Sequence, residues 1–430
     1  MRFDRLEDWL SWQESLNPRT MDLGLERVAE VWRRLQPLDL SASTVISIAG
    51  TNGKGSSVAL LEAMLKAGGY STGSYTSPHL LRYNERIRLD GQPLSDQTIM
   101  EAFQAIDQIR GDLPLTYFEF GTLAALYVFS RQKPDVVLLE VGLGGRLDAV
   151  NIIDADLALV TSIALDHQDW LGNDLEAIGR EKAGIFRAGR PAVYSAPDMP
   201  HSIEEQARKL GAPLYRNGRD YQARFEEAAE HWVWQGQDRI IENLPLPALA
   251  GEHQLDNAAG VIMALILLEK RLRLDVAAIC RGLESVALPG RQQRIELSGV
   301  SWLLDVSHNP HAVARLAEHL HMHPVPGRTL AVLGMLRDKD VARAGELMKD
   351  VVQEWHLAGI SDSRGLGAAE LARRLAAAGV RGHLHERVRD AMQAAKQQAG
   401  KTDRVVVFGS FHTVAEALEY LQNPSGTQMP

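Results

Sequence analysis

A chain of 430 residues with 45% hydrophobic and 23% charged side chains can close two or three well-developed cores, and a formal charge of −9 excludes a nucleic-acid binder that relies on a broad positive surface. Cys280 is the only cysteine, so neither an intrachain disulfide nor a thiolate zinc centre can form. Residues 1–14 lack the apolar core of a signal peptide and no later segment is a long uncharged apolar run, so the expectation is a cytoplasmic protein with no nucleic-acid or membrane partner.

In chain order, helical patterns over 6–16 and 24–35 precede a series in which apolar strand-like runs alternate with amphipathic helices. Strands are expected at 45–49, 136–141, 157–163 and 192–195, and helices at 57–67, 118–131 and 175–184. This alternation predicts an α/β fold with a mostly parallel sheet covered by helices on both faces. Between 213 and 247 the pattern shifts to short alternating segments with aromatics, read as a small antiparallel insertion. A helix over 257–274 and a shorter helical stretch lead to Pro289-Gly290, a plausible domain junction. Beyond it a second α/β series follows, with strands at 301–306, 329–336, 356–360 and 404–408 and helices at 312–320, 342–354, 368–378 and 388–398. The domains are therefore expected at 1–290 and 291–430, and the tail after Leu421 reads as frayed.

The chemistry concentrates where strands end. Gly50-Thr51-Asn52-Gly53-Lys54-Gly55-Ser56 joins an apolar run to a helical pattern: glycines admit phosphate oxygens to backbone N–H groups, and Lys54 adds a full charge at the helix start. It departs from GxxxxGK[ST], because Ile48 stands at the first glycine and Gly55 separates the lysine from the hydroxyl of Ser56. Glu140 closes the apolar run 136–141, where an ionised carboxylate needs a metal or a partner such as Arg146. Asp166-His167-Gln168-Asp169 follows another run, as ligands or as a hydrogen-bonded loop. Lys182 reads, on spacing alone, as a solvated lysine near a helix C-terminus. Asp305 and His308 lie in Asp305-Val306-Ser307-His308-Asn309-Pro310, which also suits a helix cap, and Arg291 at the junction suits either a surface ion pair or a phosphate. Gly409-Ser410-Phe411-His412 ends the last run and could line the same cleft as the Asp305 segment.

These segments, in this order and together with Thr76-Ser77-Pro78-His79-Leu80, Thr116-Tyr117-Phe118-Glu119, Leu139 through Ala149 and Arg180 through Ile185, resemble the dihydrofolate synthase/folylpolyglutamate synthase branch of the Mur ligase superfamily over nearly the whole chain. The resemblance implies a P-loop-type N-terminal domain and a smaller Rossmann-like C-terminal one. It implies ATP held by Thr51, Asn52, Gly53, Lys54, Gly55, Ser56, Asn257, Arg291 and Asp305, with His308 nearby, between the two domains. Ser77, Glu140 and His167 match magnesium ligands, with two Mg2+ sites expected, and Lys182 matches a lysine carbamylated by carbon dioxide. Lys54, Lys182 and His167 are the implied catalytic set. Asp22, Leu23, Gly24 and Leu25, with Thr116 to Glu119 (Thr116, Tyr117, Phe118, Glu119) and Leu147, Asp148 and Ala149, match a 7,8-dihydropteroate site.

The implied activity is ATP-dependent ligation of L-glutamate to 7,8-dihydropteroate and then to reduced folates, through an acyl phosphate, by a monomer. An alternative is a cell-wall peptide ligase of the same superfamily, which usually carries an additional N-terminal domain, whereas roughly 40 residues precede the loop here. An ATP-responsive regulatory protein on the same fold would have no use for a second metal position.

Overall fold

The computed structural model describes residues 1–17, 22–226 and 231–423. The chain forms two compact units, Met1–Ala248 with Gln254–Ala287, and Leu249–His253 with Leu288–Pro430. Among the described residues no helix is long and apolar enough to cross a membrane.

The first unit is built on a sheet of β1 (Thr44–Ala49), β2 (Thr72–Tyr75), β3 (Ile87–Leu89), β4 (Gln92–Pro93), β5 (Val136–Glu140), β6 (Leu157–Val160), β7 (Ala192–Tyr194) and β8 (Leu214–Arg216), in the order β4-β3-β2-β5-β1-β6-β7-β8. Every residue of β1, β2, β5, β6 and β7 is buried, as expected of a parallel sheet covered on both faces. β1 runs parallel to β5 and β6, with Ile48 opposite Glu140 and Ala49 opposite Val160, so three strands end side by side. The chain leaves β1 toward β2 and β5 on one side and continues through β6 on the other. That reversal opens a crevice at the carboxyl end of β1, where such sheets take their ligands.

On one side of this frame the helices Leu6–Leu16, Asp96–Arg110 and Tyr117–Gln132 share a buried aromatic seam. Trp9, Phe103 and Phe120 meet there, with Phe103 and Phe120 edge-on at 5.3 Å. Helix Lys54–Ala67 contacts β1, β2 and β5 and packs along helix Val276–Ser285.

Several expectations need correction. Leu214–Arg216 does not belong to the antiparallel insertion; as β8 it pairs in parallel with β7 and forms the sheet edge, its half-exposed side chains giving no apolar run to read. The antiparallel sheet begins at Tyr221, with β9 (Tyr221–Glu226), β10 (His231–Gly236) and β11 (Arg239–Pro245), and residues 227–230 of that insertion lie outside the described residues. It is tied down by Trp234, buried, whose indole N–H donates to the Ala259 carbonyl at 3.1 Å. The helix expected at 257–274 spans His253–Leu267.

The second unit carries β12 (Gln293–Leu297), β13 (Val300–Asp305), β14 (Thr329–Leu333), β15 (Glu354–Ala358), β16 (His383–His385) and β17 (Arg404–Phe408), ordered β12-β13-β17-β14-β15-β16. Only β12 is antiparallel, and Asp305 lies opposite Phe408 where β13 and β17 end together. Its core gathers Leu303, Leu333, Leu357, Val406 and Phe408 with the helices around them. The tail read as frayed falls, from residue 424 on, outside the described residues.

Leu138 sits at the centre of β5 with no exposure. Leu138→Ala should cost about 2–5 kcal/mol through lost burial and the cavity left behind, read as a lower urea midpoint for the transition of the first unit.

Candidate functional site

The loop between β1 and helix Lys54–Ala67 is shaped by what its glycines leave out. Gly50, at φ +147°, has no room for a side chain, because a Cβ would lie 1.8 Å from Thr161 Oγ1. Gly53 is left-handed at φ +91°, and a Cβ there would stand 2.7 Å from Asn257 Oδ1. The strand end after β6 then holds the loop from outside. Thr161 donates its hydroxyl to the Asn52 carbonyl at 2.6 Å, Ser162 donates to the same carbonyl at 3.1 Å, and the Thr51 N–H donates to the Ser162 carbonyl at 2.6 Å. Ser57 N–H closes the first helical turn on the Gly53 carbonyl at 2.9 Å, placing a helix N-terminus and its partial positive charge at the loop mouth. Ser56 is buried and receives Gln254 Nε2 at 3.3 Å, while Gln254 Oε1 receives Asn257 Nδ2 at 3.0 Å. Gln254 thus links two residues expected to serve ATP, and it carries no motif by which the sequence could have announced it.

Two lysines converge on this loop. Lys54 Nζ donates to the Gly50 carbonyl at 2.9 Å and the Thr51 carbonyl at 3.2 Å, and Lys182 Nζ donates to the same Gly50 carbonyl at 3.0 Å. Lys182 is not the solvated lysine its spacing suggested. It is 5% exposed at the end of helix Leu175–Lys182, and burial, reinforced by the Lys54 charge, brings its amine down to about 7, against a weaker upward pull from Asp166 and Asp148.

Glu140, buried at the end of β5, receives the Ser77 backbone N–H at 3.2 Å, so two of the three expected magnesium ligands are adjacent. Arg146 pairs with Glu181 at 2.9 Å. His167 follows β6 in a left-handed conformation, φ +51°, and its N–H donates to Asp166 Oδ1 at 2.9 Å. Among the described residues no three His, Cys, Asp or Glu side chains gather into a ready metal centre. A serine hydroxyl, a carboxylate and an imidazole still fit magnesium, which takes few protein ligands and fills its shell with phosphate oxygens and water.

The three segments expected to hold a pteroate are joined. Phe118 packs over Gly142, where a Cβ would meet Phe118 Cζ at 2.7 Å and Asp148 Oδ2 at 3.3 Å. Asp148 is buried and receives Leu143 N–H at 2.8 Å and Val150 N–H at 3.1 Å; burial outweighs these donors and raises its carboxyl to about 6. Thr116 and Glu119 form a reciprocal capping box at the start of helix Tyr117–Gln132. Glu119 also pairs with Arg27 at 3.1 Å, and Arg27 pairs with Asp22 at 2.9 Å. Leu23 lies at the surface of its loop, 36% exposed, with Gly24 and Leu25 half-buried beside it. Leu147 is half-buried and Ala149 buried on the turn that Asp148 caps.

In the second unit, Asp305 braces the turn after β13, accepting from Gln292 N–H at 3.0 Å and Ser307 N–H at 2.8 Å and from the Ser307 hydroxyl. Asn309 is the helix cap, receiving Ala312 N–H at 2.9 Å. Arg291 lies 5.5 Å over the ring of Phe411 and His308 is 6.1 Å from the same ring, so the segment after β17 does meet these residues. His253 is held neutral to about 4, chiefly by burial and then by the positive charges of Arg315 and Arg291.

Residues 48–265 match the Mur ligase middle domain and residues 290–411 the Mur ligase glutamate ligase domain. A dihydrofolate synthase/folylpolyglutamate synthase of Escherichia coli K12 is 46% identical over 416 residues, 97% of this chain and 95% of the relative. The structure of E. coli FolC in complex with DHPP and ADP superposes with a TM-score of 0.92 at 45% identity over 98% of both chains. A bifunctional folylpolyglutamate synthase/dihydrofolate synthase with Mn, AMPPNP and L-glutamate bound matches at TM-score 0.90 and 45% identity, over 97% of this chain and 98% of its own.

Gly53→Ala combines a disfavoured backbone with a clash on Asn257. It should weaken ADP binding about tenfold or more, an amount corresponding to at least 1.4 kcal/mol, measured by calorimetric titration beside an unchanged far-UV circular dichroism spectrum.

Proposed function

The chain belongs to the dihydrofolate synthase/folylpolyglutamate synthase family of the Mur ligase superfamily, and on that premise we propose that its first unit activates a pteroate or folate carboxylate with ATP and passes it to L-glutamate. It is an ATP-dependent acid–amino-acid ligase that makes dihydrofolate from 7,8-dihydropteroate and extends reduced folates with further glutamates. One observation carries the assignment of the centre: Lys54 and the buried Lys182 share the Gly50 carbonyl, beside the strand end that carries Glu140.

In the reaction, a carboxylate oxygen of the substrate attacks the γ-phosphorus of ATP, the bond to the β-phosphate oxygen breaks, and ADP departs from an acyl phosphate. The unprotonated amine of glutamate then adds to the acyl carbon. The tetrahedral intermediate loses its amine proton and expels phosphate, leaving an amide. Lys54, anchored on two loop carbonyls, supplies fixed positive charge where the phosphoryl oxygens gather, and the loop amides and helix N-terminus add to it. Asn257 and Gln254 set the loop's shape from below, and Thr161 and Ser162 from the side. Magnesium, when bound by Ser77, Glu140 and His167, would neutralise phosphate charge. Asp22 to Leu25, Thr116 to Glu119 and Leu147 to Ala149 are proposed for the pteroate, and Arg291, Asp305 and His308 for the nucleotide on the second unit.

Lys182 suits carbamylation. A buried amine brought to about 7 is substantially neutral near physiological pH, and its nitrogen can bond the carbon of carbon dioxide with loss of a proton. The product is an anion placed against Lys54, in place of a second cation. The cytoplasm is the proposed location.

Substrate-dependent ADP release tests the function. Release should require both dihydropteroate and L-glutamate, and Lys54→Ala should lower it by about 100-fold or more while the protein stays folded; near-normal turnover by that variant would remove the loop from the mechanism. Lys182 is tested with 13C-labelled bicarbonate. Below the folded pKa of about 7 the amine is protonated and unreactive, so the carbamate carbonyl signal should grow as pH rises from about 6 to 8, and it should be missing in Lys182→Gln.

A further inference from the structure

Two of the segments proposed for the pteroate, residues 22–25 and 116–119, are 90 or so positions apart, and one arginine outside both of them ties them together. Arg27 lies in the first turn of helix Glu26–Arg34. Its Nη1 reaches Asp22 Oδ2 at 2.9 Å, and its Nη2 donates to the Asp22 carbonyl at 2.6 Å and to Glu119 Oε1 at 3.1 Å. Its Nε faces Glu119 Oε2 at 3.4 Å. The guanidinium therefore spans the loop on one side and the helix mouth on the other, using its planar fork in a way that an ammonium cannot copy.

Glu119 is 3% exposed, and both of its oxygens are engaged: Oε1 by Arg27, and Oε2 by Arg27 and by the Thr116 N–H at 2.7 Å. Its carboxylate serves the protein, so its influence on a substrate passes through what it holds. It holds the Thr116 N–H at its own helix mouth and Arg27, and through Arg27 the Asp22 loop. A buried acid of this kind stabilises only while its partner stays in place, which makes the bracket a firm constraint on loop position.

We infer that Arg27 is a positioning residue for the pteroate side of the site. It locks the 22–25 loop to the mouth of helix Tyr117–Gln132, so that the loop has its binding shape before the substrate arrives. The inference rests on the pteroate assignment of these segments. It predicts a selective defect: the loop on the nucleotide side shares none of these bonds, so ATP should be used as before while dihydropteroate is held less well.

The test is steady-state ADP release by Arg27→Lys and by the double variant Arg27→Met/Glu119→Gln, which removes both charges and so avoids leaving a buried carboxylate unpaired. Dihydropteroate and ATP are varied in turn, and folding is checked by thermal melting. The expected result is a KM for dihydropteroate raised about tenfold or more, with KM for ATP within about twofold of wild type and kcat little changed, the pattern of lost uniform binding. Arg27→Lys, which keeps the charge and loses the fork, should fall between wild type and the double variant. A dihydropteroate KM within about twofold of wild type in both folded variants overturns the inference. So does an equal rise in both KM values, or failure of both variants to fold, since each makes Arg27 a structural residue only. If the wild-type protein releases no ADP with dihydropteroate and glutamate, the functional reading itself fails; if it turns over normally and only the Arg27 pattern is missing, the functional reading stands and the positioning role falls.

Discussion

The carbonyl oxygen of Gly50 accepts from two ammonium groups, and the loop, the strand end beside it and the helix that delivers Lys182 are all arranged around that contact. Two like charges drawn onto one buried acceptor repel each other. The fold accommodates them by burying one amine deeply enough to make it easily discharged. The contact exists only because position 50 has no side chain, since a single methyl would collide with Thr161 and separate the two strand ends. A small backbone requirement at the end of β1 thus sets the electrostatics of the centre.

Around this point the first unit separates its tasks by element. The loop proposed for the nucleotide is fixed by polar contacts from the segments after β6 and from the helix His253–Leu267. The segments proposed for the pteroate are fixed by a different set, the aromatic seam, the capping box and the Arg27 bracket. Asp148 stands where the two sets approach each other: it touches the Phe118 side through Gly142, and it feels the charge of Lys54 and contributes to that of Lys182.

The sequence disclosed most of the architecture because the central strands are apolar on both faces. The runs at β1, β5 and β6 stand out for that reason. Thr72–Tyr75 shows no apolar strand pattern in the sequence, because Thr-Gly-Ser offers no apolar bulk before Tyr75 although all four residues are buried, and its burial comes from neighbours far along the chain. β8, β12 and β16 carry half-exposed residues at or near sheet edges, where pairing supplies what patterning does not show. At the site, Lys54 and Glu140 were legible from their place after apolar runs. The burial of Lys182 was not, since its own helix reads as amphipathic and its Nζ bonds the Gly50 carbonyl 132 positions away. Arg27 and Gln254 carried no local signal at all, because their meaning lies in partners at Glu119 and Ser56, 92 and 198 positions away.

The position of β1 between β5 and β6 also bears on how the protein comes into being. Among the described residues β1 pairs with no strand nearer in sequence than Val136 and Leu157, so when it leaves the ribosome neither partner has yet been made. The glycine loop that follows takes shape only after Thr161 and Ser162 arrive, receives its second lysine twenty residues later, and gains its floor when Asn257 is made. Long-range parallel pairing of this kind forms slowly and leaves apolar edges exposed in the interval. A nascent chain halted before residue 257 would already hold the partners of β1 but lack the Asn257 floor of the glycine loop, so the loop is completed late in synthesis although Lys54 is among the first residues made.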